Sequence, residues 1–194
     1  MKKRIAVLIS NILNPFLVGL AVILILSFSA TTRSGDALKW TLVASGLSIL
    51  PIFVVVIYLL RTKRLNSFFL DMRQQRTNIY VLSGACGIAG CLLLAFLKAP
   101  MMLIAGFIAS LLITLIFMCI NFWWKISLHT AFIAGSATLL VILYGWMGTL
   151  VIPLIPVTAW ARAELKSHSW AQATTGAVLA AAIVAAVFYP LVVA

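Results

Sequence analysis

Seven apolar stretches alternate with short polar ones along this chain. They cover residues 5–30, 40–60, 79–97, 101–122, 130–146, 149–161 and 171–193. A helix rising 1.5 Å per residue needs about 20 apolar residues to cross a bilayer. The pattern therefore predicts an all-α polytopic transmembrane bundle. It has six or seven spans, depending on whether residues 130–161 cross once or twice about a turn at 145–148. The stretch at 149–161 is short for a crossing and is bent by Pro153 and Pro156. Asn14-Pro15 predicts a local kink in the first span and Pro51 one in the second, because proline removes a backbone donor. Ser83, Gly87 and Cys91 recur every four residues and predict a close-packing face on the third span. The last span is rich in alanine, as expected of a helix buried between others.

Composition agrees with this pattern. The chain is 64% hydrophobic and 9% charged, with a mean hydropathy of +1.20, which excludes a soluble globular class. No polar segment is long enough to fold alone, so residues 1–194 read as one integral membrane domain. The start, Met1-Lys2-Lys3-Arg4, could open a signal peptide. The apolar run behind it is too long for one, so it reads as a retained first span. Cys86, Cys91 and Cys119 lie inside apolar segments and read as packing residues, not as a disulfide set or a metal cluster.

The formal charge is +11, from 14 basic and 3 acidic residues. The basic residues sit between spans, which points to topology, acidic lipid headgroups or a phosphate site and away from nucleic acid. With a cytoplasmic N-terminus and alternating spans, eleven basic residues fall inside and only Arg33, Lys39 and Lys98 outside, in keeping with the positive-inside rule. That topology puts residues 61–78, 123–129 and 162–170 at one membrane face. The last of these is a polar island between apolar runs. It holds Arg162 and one of the two histidines, His168; the other, His129, opens the run at 130. Cations and imidazoles at a membrane boundary mark a site by default.

The spacing carries a resemblance. Ala161-Arg162, five residues, His168, three residues and Gln172 is similar to the third motif, S-R-x5-H-x3-D, of the type 2 phosphatidic acid phosphatase superfamily (lipid phosphate phosphatases and vanadium haloperoxidases). Ile126-Ser127-Leu128-His129 resembles its P-S-G-H motif, keeping Ser and His. Asp71-Met72-Arg73-Gln74-Gln75-Arg76, preceded by Lys63, lies where the first motif (K-x6-R-P) belongs, without its spacing or its proline. The resemblance runs from about residue 61 to the C-terminus.

That resemblance implies metal-independent hydrolysis of a lipid phosphate monoester or a polyprenyl (pyro)phosphate through a phosphohistidine, with no cofactor. His168 would be the nucleophile and His129 the general acid. Arg162, Ser127, Arg73 and Arg76 would hold the phosphate oxygens. Gln172 would orient His168 in place of the family's Asp, bringing an acceptor oxygen without a negative charge. The implied partners are the lipid phosphate and the surrounding membrane lipids. Gln172, and Ile126 and Leu128 in place of Pro and Gly, leave three outcomes: a slow site, one in which Asp71 or Glu164 substitutes, or one that binds phosphates without cleaving them. A non-catalytic lipid-phosphate binder or assembly subunit is one rival. A small transporter is the other, but its spans should carry buried charge, and these carry almost none.

Overall fold

The computed structural model describes residues 1–62 and 73–193, with the backbone alone at 73–75 and 193. Lys63, Arg64 and Asp71 lie outside the described residues. The elements are α1 (Lys2–Ile12), α2 (Pro15–Ser29), α3 (Ser34–Arg61), α4 (Arg73–Phe96), α5 (Met101–Asn121), α6 (Leu128–Tyr144), a 3-10 helix η1 (Gly145–Val151), α7 (Leu154–Glu164) and α8 (Trp170–Val193). No strand occurs among the described residues. Six helical segments are long and apolar enough to cross a membrane. The protein is an all-α polytopic membrane bundle. By internal packing it divides into two compact units, Met1–Gly19 with Lys125–Ala194, and Leu20–Trp124.

In both units many large apolar residues face outward, where lipid is their solvent, and the interior mixes alanines with large side chains such as Phe117 and Phe188. In the unit of residues 20–124, Leu42, Leu92 and Phe96 point out, 73%, 68% and 81% exposed. Inside, α4 presents Tyr80, Gly87, Gly90 and Leu94, and a Cβ on Gly90 would strike the Phe107 ring of α5. The predicted face of Ser83, Gly87 and Cys91 is thus centred one residue earlier at its far end, on Gly90. A helical stripe advances by three and four residues in turn, not by fours. At the start of α3, the Lys39 ammonium lies 4.9 Å from the Trp40 ring centre.

In the other unit, α6 and α8 pack through Ala131, Ala134 and Gly135 against Ala173, Ala177, Ala180 and Val184. Small residues let the backbones approach, which is what drives association where no hydrophobic effect separates helix from lipid. A Cβ on Gly176 would lie 2.8 Å from the Ser127 carbonyl oxygen, so the two helix starts touch backbone to backbone.

The kink expected at Asn14-Pro15 is a complete break. Asn14 Oδ1 accepts from the N–H groups of Phe16 and Leu17, each at 3.0 Å, and Pro15 takes the first helical position. This is a helix N-cap with proline at N1, where its missing donor costs nothing. α1 and α2 are therefore separately terminated helices.

Residues 145–165 explain the ambiguity in span number. Gly145 ends α6 at φ +58°, a left-handed conformation that glycine adopts without strain. η1 then folds back on α6, since a Cβ on Gly148 would strike the Leu140 carbonyl group. Eight residues apart in one continuous helix would be about 12 Å. α7 continues this return toward the start of α6. Its 11 residues rise about 16 Å, short of the ~30 Å hydrocarbon core. No single helix makes the return; η1 and α7 share it, so α8 starts at the same end as α6.

Candidate functional site

Three sequence-distant stretches meet at that end. Arg162 lies in the last turn of α7 and is 2% exposed. The helix ends two residues later in a Schellman turn. Ser167 N–H donates to the Arg162 carbonyl (3.1 Å) and Lys166 N–H to that of Ala163 (2.9 Å), with Lys166 left-handed at φ +54°. The His168 N–H reaches the same Arg162 carbonyl at 3.3 Å. The five-residue gap between Arg162 and His168 is thus the length of this turn, which brings the half-buried imidazole back beside the arginine.

His129 occupies the first turn of α6 and is 6% exposed. It lies within electrostatic reach of both Arg162 and His168, and its imidazole hydrogen-bonds the Ser10 backbone. Ser127 is the N-cap of α6 and fully buried, yet its hydroxyl caps nothing: Oγ has no hydrogen-bond partner among the described residues. The Ser127 backbone does bond, its N–H to the Gln172 carbonyl at 3.3 Å. Thr130 Oγ1 donates to the Ala173 carbonyl at 3.0 Å. These bonds lock the first turns of α6 and α8 together and aim the positive end of α6 at the cluster.

Gln172 has a structural task. Its Oε1 accepts from the Ser169 N–H (3.1 Å), and Ser169 Oγ accepts from the Gln172 N–H (3.2 Å). This is a capping box for α8. It engages the oxygen to which the motif resemblance gives the role of orienting His168.

The first-motif arginines lie in the other unit. Arg73 opens α4, and only its backbone is described. Arg76 is 5% exposed and donates to Tyr80 Oη on its own helix at 3.2 Å, with the tyrosine ring beneath it at 5.9 Å. The structure brings together Arg162, His129 and His168, while the shown contacts of Ser127 are with the start of α8 and its own helix. It adds Ser10 of α1, whose Oγ accepts from Arg162 Nη1 at 2.8 Å. The only sequence signal for Ser10 was a polar residue inside an apolar span.

An apolar groove of about 360 Å³ runs between α6, α7 and α8, lined among others by Ala134, Ile155, Ala159, Trp170, Ala177 and Ala181. Ala159 is one turn before Arg162, and Trp170 is two residues after His168. Trp170 is 52% exposed at one end of α8, and Tyr189, 19 residues on, is 58% exposed near the other. That separation is about 28 Å, the spacing of the two aromatic belts of a bilayer.

No family model, curated protein or solved structure matches the chain.

Proposed function

We propose that this protein is a membrane lipid phosphatase, hydrolysing a lipid phosphate monoester or a polyprenyl (pyro)phosphate at the Arg162 cluster. The observation that carries the reading is the convergence of Arg162 and His168, from one stretch, with His129, from another, on one end of the unit. A guanidinium gathered with two imidazoles at one end of a helical unit suits an anionic ligand. The apolar groove beginning one turn away suits the tail of an amphiphile whose phosphate is held there. The motif resemblance adds the chemistry.

In this mechanism an unprotonated nitrogen of His168 attacks phosphorus, and the P–O bond to the lipid breaks. His129 gives its proton to the departing alkoxide. Arg162 and Ser127 hold the non-bridging oxygens as charge builds on them. Water then attacks the phosphohistidine, the P–N bond breaks, and His129 takes the water's proton. Inorganic phosphate leaves and both imidazoles are restored. The charge pattern favours the cytoplasmic face for this site.

A second reading is favoured by one observation: the Gln172 oxygen is engaged in the α8 capping box and no carboxylate stands in that position. In that reading the protein binds lipid phosphates without cleaving them.

Phosphate release from phosphatidate, polyprenyl phosphate and polyprenyl pyrophosphate, measured on the purified protein with chelator present, decides between them. The phosphatase reading expects release that His168→Ala abolishes and His129→Ala slows by about 10²–10⁴-fold. Binding of these lipids with no release by the folded wild type selects the second reading.

A further inference from the structure

We infer that Ser10 is a positioning residue of this cluster: its hydroxyl oxygen holds the Arg162 guanidinium, its carbonyl oxygen holds the His129 ring, and the break after α1 is what frees that carbonyl. The effect on turnover rests on the reading of the cluster as a phosphate site; the effect on the histidine rests on the hydrogen bonds alone.

α1 packs on α7, and Ala6 and Ser10, four residues apart, are its fully buried residues. A helix leaves its last four carbonyls without N–H partners of its own. In α1 these belong to Ile9, Ser10, Asn11 and Ile12. The Leu13 N–H donates to that of Ile9 at 2.8 Å, and the Asn14 side-chain amide donates to that of Asn11. In a continuous helix the Asn14 N–H would donate to that of Ser10. Asn14 instead starts α2, where its Oδ1 caps Phe16 and Leu17 and Pro15 follows at the first helical position. The Ser10 carbonyl accepts from the His129 imidazole. The Asn14-Pro15 break thus hands a backbone oxygen of α1 to a side chain of α6.

The Ser10 side chain serves the other cation. The Ser48 and Ser136 hydroxyls donate to the carbonyls of Ala44 and Phe132, four residues back on their own helices. Ser10 Oγ accepts from Arg162 Nη1 at 2.8 Å, because a guanidinium has only donors. One residue of α1 therefore fixes a guanidinium from α7 and an imidazole from α6.

A neutral imidazole has one donor nitrogen and one acceptor nitrogen, and the bond made by one sets the state of the other. The His129 nitrogen that donates to Ser10 keeps its proton in both charge states. The other nitrogen carries the lone pair of the neutral ring and the transferable proton of the charged ring. Both the general-acid and the general-base step fall on that second nitrogen. The carbonyl holds one tautomer, as the orienting carboxylate of a Ser-His-Asp triad does, without adding charge.

The test is ¹⁵N spectroscopy of the ring nitrogens in the full-length protein in neutral detergent, together with phosphate release from the lipid panel. The chain has two histidines, so His168→Gln assigns the spectrum. Neutral His129 is expected in a single tautomer. Asn14→Ala with Pro15→Ala removes the cap and lets α1 run on into α2, so that the N–H at position 14 competes for the Ser10 carbonyl. That variant should show both tautomers and slow release at least about tenfold, part of the 10²–10⁴ that acid–base catalysis contributes. Ser10→Ala keeps the carbonyl and loses Oγ. It should keep the tautomer and slow release about ten- to a hundredfold, one hydrogen bond to a charged group, with Ser10→Thr recovering most of the loss. Mixed tautomers in the wild type, or wild-type release from folded Ser10→Ala, overturn the inference while leaving the phosphate site standing. A wild type that keeps one tautomer but neither binds the lipids nor releases phosphate overturns the phosphate reading and leaves the positioning in place.

Discussion

Among the described residues each unit buries one arginine, and the shown contacts of the two differ in range. Arg76, in the unit of residues 20–124, finds Tyr80 one turn along its own helix, through both the hydroxyl and the ring face. Arg162, in the other unit, reaches a residue 152 positions away on α1 and stands with two histidines from different segments. A contact on the same helix moves with that helix. A long-range contact requires separate elements to be placed around the charge. The contrast sets Arg76 against its own helix and Arg162 among three elements, though both are almost fully buried.

The largest expected effect breaks or upholds this contrast directly. Arg162→Gln should weaken phosphate binding at least about thirtyfold, since losing one side of a buried charge contact costs about 2–5 kcal/mol or more. Arg76→Gln should show its main effect in the thermal midpoint and a smaller one in binding. Equal losses of affinity in the two variants, at equal stability, would restore Arg76 to the phosphate-holding role its place in the first motif implies.

The glycines give a second contrast. In the unit that holds Arg162 a Cβ on Gly148 would strike the Leu140 backbone, and one on Gly176 the Ser127 carbonyl at 2.8 Å. In the other unit the nearest atoms to a Cβ on Gly90 are those of the Phe107 ring. A ring can rotate away, while a helix backbone cannot move without its neighbours. Overpacking costs about 1–3 kcal/mol and occasionally more. Gly148→Ala should lie at or above that range and Gly90→Ala within it, with Phe107→Leu relieving only the latter. Denaturation in detergent measures the three. A Gly90→Ala variant less stable than Gly148→Ala would mean that η1 does not fold back on α6.

Most of the architecture was legible in the pattern of apolar runs, because a membrane span announces itself by length. The return through residues 145–165 was legible only as a turn and a short, proline-bent run. Its fold-back depends on Gly148 meeting Leu140, a tertiary contact that no periodicity encodes. In the candidate site, Arg162, His168, Ser127 and His129 stood out because rare polar residues recurred at set intervals. The intervals have a local cause: the gap from Arg162 to His168 is one Schellman turn. Ser10 escaped notice because a single serine in an apolar helix is common, and its meaning comes only from the arginine it meets. The two tasks open to Gln172 could not be told apart in sequence. A glutamine four residues after a histidine is, in this chain, also three residues after the serine with which it caps α8.

The smallest effect concerns two lysines in the same strained conformation, one in each unit. Lys98 and Lys166 both sit at φ +54° just past a helix end, inside matching Schellman turns. A side chain in the left-handed region costs about 1–2 kcal/mol that glycine escapes, part of which returns as unfolded-state entropy. Lys98→Gly and Lys166→Gly should each therefore stabilise by up to about 1 kcal/mol, a rise of a few degrees in thermal midpoint. The sharper readout is phosphate release. The Lys166 side chain is exposed and its backbone conformation alone sets the turn between Arg162 and His168. A glycine there holds the same turn, so Lys166→Gly should gain stability with release unaltered, as Lys98→Gly does. Release that falls in Lys166→Gly alone, while its midpoint rises, would make the lysine ammonium itself a member of the site.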